Sequence, residues 1–107
     1  MSIKYIGLLM YDFPMQTDIE IKEYNNFRKM IIKKGYYQIQ KSIYIMSSNT
    51  KERIETTEKQ ISVMIPKNSS VRTLLLTEEQ FRKMKVLSGE ITMGELILKN
   101  KNRILEY

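Results

Sequence analysis

Positions Lys4 to Asp12 ("KYIGLLMYD") are apolar on both faces of a two-residue period until the chain reaches a carboxylate, the pattern of an inner strand covered above and below. The period then changes to that of a helix. Thr17 and Glu20 have the spacing of a capping box, Ile21, Tyr24, Phe27 and Ile31 fall on one stripe, and Lys33 and Lys34 precede Gly35. This predicts a helix from Asp18 to Lys34. Tyr36 to Met46 ("YYQIQKSIYIM") returns to alternation, with Ile39, Ile43 and Ile45 on one face and Gln38, Gln40, Ser42, Tyr44 and Met46 on the other. Its length suits one bent strand or two strands joined near Lys41 and Ser42. Asn49, with Glu52 three residues on, is the expected cap of a second helix; Ile54, Ile61, Met64 and Ile65 form its stripe and Pro66 ends it. Val71 to Thr77 ("VRTLLLT") reads as another core strand. Thr77 and Gln80 then repeat the capping signature before a short helix with Phe81, Met84 and Leu87, closed by Gly89. In the tail, Leu96 to Leu98 and Arg103 to Leu105 read as short strands across a Lys-Asn turn.

This order of elements matches the split β-α-β unit, so the expected class is α+β: a ferredoxin-like βαββαβ fold with an extra short helix and a C-terminal strand. Helices cover one face of such a sheet. The first strand is apolar on both faces, which predicts a homodimer packed through the uncovered faces of two sheets. The 107 residues contain no Gly/Ser/Pro-rich linker, and the expectation is a single domain over 1–107.

Composition narrows the chemistry. No apolar run approaches the ~20 residues of a membrane span, and no signal-peptide pattern opens the chain, so a soluble, unprocessed, cytoplasmic protein is expected. There is no cysteine and no histidine, which excludes thiolate nucleophiles, imidazole bases and zinc sites built on either. Acid, base or metal chemistry falls to carboxylates, Lys or Tyr. Eighteen Lys and Arg against twelve Asp and Glu give a net charge of +6, which favours polyanionic partners.

Four features in order now resemble a known family, the small CRISPR-associated Cas-two proteins. An apolar first strand ends in Tyr11-Asp12; a basic helix follows; a later strand carries Gln40, Ser42, Ile43 and Tyr44 in a Gln-x-Ser-aliphatic-aromatic motif; and a strand is added at the end. The "YDFP", "FRKMIIKKGY" and "LLLTEEQFRKMKVLSGE" segments look most like members from type II systems. The resemblance implies ferredoxin-like homodimers that sit between two CRISPR integrase dimers and hold prespacer DNA. It also implies metal-dependent endonuclease activity on RNA or DNA. In such a dimer the two copies of Asp12 lie near the two-fold axis and share Mg2+ or Mn2+, which makes Asp12 the candidate catalytic and metal-ligating residue.

Each assignment has a plainer counterpart. Asp12 also suits an Asx turn before Pro14, and Tyr11, on the opposite face, suits core packing. Arg28, Lys29, Arg82, Lys83, Lys85, Lys99, Lys101 and Arg103 are the candidate nucleic-acid contacts, through phosphate and without base readout. A solvated basic face is their plainer reading. Tyr36, Tyr37 and Tyr44 form a stacking platform only if they share a free face, and no Gly-aromatic motif accompanies them. The function expected is a CRISPR adaptation subunit that binds duplex DNA by its backbone and bridges integrase dimers, with metal-dependent nuclease activity as a secondary property. The rivals are a metal-dependent nuclease first and foremost, and an unrelated toxin-like RNase.

Overall fold

Strand β1 (Tyr5–Asp12) is paired along both of its edges in the computed structural model, which describes residues 3–89 and residue 91. After it come α1 (Asp18–Lys33), the strands β2 (Tyr37–Gln40) and β3 (Ile43–Ser48), α2 (Lys51–Ser62), β4 (Ser70–Thr77) and the short α3 (Glu78–Arg82). The strands form one sheet in the order β2-β3-β1-β4, every neighbouring pair antiparallel. This is the ferredoxin-like βαββαβ arrangement that the hydrophobic pattern predicts. The two tail strands expected at 96–98 and 103–105 lie outside the described residues.

Tyr36 to Met46 resolves into two strands. Ser42 takes a left-handed backbone (φ 66°) at the turn, and the β2/β3 register shifts between Gln38 and Gln40. Ile39 and Ile45 lie on one face, and Tyr44 and Met46 on the other.

Alternation along β1 divides the core between the two faces. Leu9, Tyr11 and Phe13, with Tyr44 and Met46 of β3, pack against Phe27 and Ile31 of α1 and Ile54 and Ile61 of α2. Ile6 and Ile45 point the other way and meet Phe81 of α3, with Ile39 and Leu76 beside them. Helix α3 therefore covers the second face at its Tyr5 end, where the Glu78 amide donates to the Lys4 carbonyl at 2.9 Å. Further along, that face is open: Leu74 is 52% exposed and Met10 and Ile43 are half-buried.

Both capping boxes form. Thr17 Oγ1 accepts from the Glu20 amide at 3.1 Å while Glu20 Oε1 accepts from the Thr17 amide at 3.0 Å, and Thr77 and Gln80 repeat the exchange at 3.1 and 2.9 Å. The second helix departs from expectation at both ends. Its cap is Thr50, whose hydroxyl accepts from the Arg53 amide at 3.4 Å, rather than Asn49. Ser48 Oγ accepts from the Thr50 amide at 3.1 Å and holds that residue in the extended conformation a cap requires. The helix stops at Ser62, so its buried stripe is Ile54, Thr57 and Ile61, and Met64 is exposed. Helix α3 is likewise shorter than its apolar spacing suggests. Phe81 alone anchors it, while Met84 and Leu87 are exposed. Among the described residues no helix is long and apolar enough to cross a membrane.

At Gly7 the backbone of β1 lies close against Ile54 of α2. A Cβ built there would stand 2.6 Å from Ile54 Cγ2. Gly7→Ala should therefore lower unfolding free energy by ~1–3 kcal/mol in urea titrations, because a buried side chain or the helix has to move. Ile54→Leu removes the offending branch methyl, and in the double variant it should recover part of that loss.

Candidate functional site

Asp12 is the last residue of β1, opposite Ser70 of β4 and exposed, on the sheet face that α1 and α2 do not cover. The β2/β3 turn is fastened beside it, since the Tyr11 amide donates to the Ser42 carbonyl at 3.0 Å. Together these elements enclose an open depression of about 340 Å³, lined by Met10, Asp12, Lys41, Ser42, Ile43, Ser70 and Arg72 as well as Tyr11. Among the described residues the Asp12 carboxylate has no hydrogen bond and no ion pair, so it does not close an Asx turn. A charged group without a structural partner at a strand end is free to meet a ligand.

Could this site hold a divalent ion by itself? The described residues contain no group of three His, Cys, Asp or Glu side chains close enough to share a metal. Among those lining the depression Asp12 is the one carboxylate, with Lys41 and Arg72 beside it. One acid between two cations does not fit Mg2+ or Mn2+, which take several oxygen ligands.

Tyr11 points the opposite way, into the core. Its ring lies 5.2 Å from Phe13, 5.7 Å from Tyr24, 5.1 Å edge-on from Phe27 and 5.6 Å from Tyr44, nearly parallel to the last. The packing role is therefore its role here. Tyr36 and Tyr44 are buried on the helix side, whereas Tyr37, opposite Ile45, is on the other face and 47% exposed. The three tyrosines share no free face, so they make no stacking platform.

The cationic residues split as well. Arg28 is half-buried, its Nη2 donating to Gln38 Oε1 at 3.3 Å, and Lys29 is exposed beside it on α1. Arg82 and Lys83 belong to the α3 end, on the opposite side of the sheet, where they pair with Glu78 at 3.3 Å and Glu79 at 3.8 Å. Lys85 is exposed just beyond α3, in a depression against Ile39 and Gln40 of β2. Lys99, Lys101 and Arg103 lie outside the described residues. The α1 and α3 groups thus form two separate patches. Sequence reasoning missed Lys41 and Arg72, the cations that line the depression with Asp12; only the β1/β4 register and the turn at Ser42 bring them there.

A four-stranded ferredoxin-like sheet whose central strand ends in an exposed aspartate defines a class of small α+β proteins. Residues 4–84 match the family model described as CRISPR associated protein Cas2, and the chain belongs to that family. The CRISPR-associated endoribonuclease Cas2 of Ligilactobacillus salivarius is 39% identical over 83 residues, covering 78% of this chain and 82% of that protein. Its namesake from Campylobacter jejuni is 36% identical over 102 residues, covering 92% of this chain and 68% of that protein. The crystal structure of Streptococcus pyogenes Cas2 at pH 6.5 superposes with a TM-score of 0.61 at 23% identity, over 78% of this chain and 99% of the other. That likeness establishes the fold. Family membership removes the unrelated toxin-like RNase from consideration.

The buried tyrosines give the protein an alkaline limit. The hydroxyls of Tyr11, Tyr36 and Tyr44 are buried without hydrogen-bond partners. Burial, with the Glu58 charge adding to it, moves the Tyr36 phenol from 10.0 to about 12; burial beside the Tyr44 and Tyr24 phenols raises Tyr11 as well. The raised folded-state value means that this contribution to stability is whole below the unfolded value and is lost as pH rises through the folded one. Stability should accordingly fall between pH 10 and 12 by ~1.4 kcal/mol per pH unit for each of Tyr36 and Tyr11, and Tyr36→Phe should flatten the fall by one tyrosine's share in urea titrations across that range.

Proposed function

We propose that the chain is a CRISPR adaptation subunit that works as a homodimer, binds duplex DNA through its phosphates and bridges integrase dimers. A nuclease site at Asp12, acting on RNA or DNA, is a secondary property. The observation that supports this most is the open part of the sheet: an apolar face with Leu74 exposed, ending in an aspartate that no described residue engages. A second copy seated on that face buries its apolar rows and brings another Asp12 toward the first.

The second copy also answers the shortage of metal ligands. One chain offers a single carboxylate, whereas a pair offers two, with hydroxyls and water to complete the shell. When bound, Mg2+ or Mn2+ would neutralise phosphate charge and supply an acidified water. The chain's own part is to hold Asp12 at a fixed place, through the β1/β4 ladder and the Tyr11-to-Ser42 hydrogen bond.

Cleavage as the primary function is the second reading. Two observations favour it: the relatives are named endoribonucleases, and Asp12 has no partner among the described residues that would explain its presence. Asp12→Asn separates the readings. The substitution should leave the fold intact, since among the described residues the carboxylate makes no hydrogen bond or ion pair that an amide would give up, and it should abolish cleavage seen with magnesium or manganese. Spacer acquisition should survive, because bridging needs shape and positive charge but no bond breaking. Loss of acquisition by a variant that sediments as an intact dimer would make cleavage the primary function. A wild-type protein that sediments at the mass of one chain at micromolar concentration would end both readings of the paired site.

A further inference from the structure

We infer that Lys41 and Arg72 form a clamp that seats a phosphodiester of a nucleic-acid strand beside Asp12. The inference rests on the nucleic-acid-binding part of the proposed function, and it names the subsite that such binding uses. Arg72 stands opposite Met10 in the β1/β4 ladder, two residues along the strand from the Asp12–Ser70 pair and on the same face. Lys41 comes from the other side of β1, on the turn that Ser42 makes with its left-handed backbone and that the Tyr11 amide fastens. Two cations therefore converge on the depression from opposite flanks, with Asp12 between them.

Their lack of partners is the telling feature. Arg82 and Lys83 are matched by acids one helical turn away, whereas Lys41 and Arg72 have no ion pair among the described residues. The acid that lines the depression, Asp12, is not within ion-pair distance of either and leaves one unit of positive charge uncompensated. Arg72 lies between Ser70 and the apolar pair Leu74 and Leu76 on the same face of β4. A cation in that row is costly wherever the face is covered, unless an anion meets it. Phosphate suits the pair: the guanidinium offers forked donors to two oxygens, the ammonium a point charge, and Ser42 and Ser70 line the same space with hydroxyls. The clamp binds and positions the strand. It carries out no chemistry.

Binding can be read without cleavage. On an Asp12→Asn background in EDTA, fluorescence anisotropy would follow a labelled single-stranded RNA and the matching DNA duplex across a salt series. Arg72→Gln and Lys41→Gln should each weaken binding of at least one of the two by ~5-fold or more and lower the slope of log affinity against log salt by ~0.7–0.9 for each phosphate no longer neutralised. Arg72→Lys should keep most of the slope. Both side chains are exposed in the single chain, so their substitution removes no packing within it, and each variant is compared with its parent by sedimentation as well as by melting. Lys59→Gln, on the solvent side of α2, is the control for a generic loss of charge. The clamp is overturned if the Lys41 and Arg72 variants behave like the Lys59 variant on both probes, or if the parent binds neither probe. Clamp-dependent binding by a protein that never cleaves would support the clamp while removing the nuclease reading.

Discussion

Everything in this fold depends on one strand that is hydrogen-bonded along both edges and packed against helices on both faces. β1 is hydrogen-bonded to β3 along one edge and to β4 along the other, and its Ile6 and Leu9 are fully buried on opposite faces. A strand in that position has no polar face to give to water, so its sequence reads as a nearly continuous apolar run. Gly7 completes the arrangement by letting Ile54 of α2 lie almost against the backbone. The cover on the helix side comes from two helices, which bury Leu9 and Tyr11. Among the described residues a five-residue helix covers the other side at one end only, which leaves an apolar surface at the end where the strand stops.

The same alternation that buries the strand separates chemistry from packing at its last two residues. Tyr11 turns inward to four other aromatic rings, contacts of ~0.5–1.5 kcal/mol each beyond their buried area. Leaving the Tyr11 hydroxyl buried without a partner costs ~1–3 kcal/mol, so the rings outweigh the hydroxyl. Asp12, one residue on, turns outward, where a carboxylate keeps its hydration. A rigid core side chain directly before an exposed acid holds the acid's backbone in place.

Charge is distributed by face rather than by count. The net charge of +6 suggests one basic surface, but the sheet stands between the α1 cations and those of α3. Glu78 and Glu79 offset two of the latter within a single turn. Exposed pairs of that kind contribute little to stability, yet they reduce the field a polyanion would feel. The cations around Asp12 that pair with no described acid have a stronger claim to phosphate than the more numerous ones on the helices.

The sequence by itself determined the element order, both capping boxes, the inward Tyr11 and the outward Asp12, because periodicity and capping are local and each needs only a few neighbouring residues. It also carried enough of the Tyr-Asp and Gln-x-Ser pattern to place the chain in its family. Where two local signals competed, it misread the outcome: Asn49 and Thr50 both suit a cap, and apolar residues at Met64, Met84 and Leu87 suggest helices longer than those that form. Only the tertiary structure decided which distant residues share the strand end. Lys41 and Arg72 stand 29 and 60 positions from Asp12 in the chain and carry no local mark that would join them to it. Antiparallel register and a fastened turn bring them together, and register is a property of strand pairs, which no single segment contains.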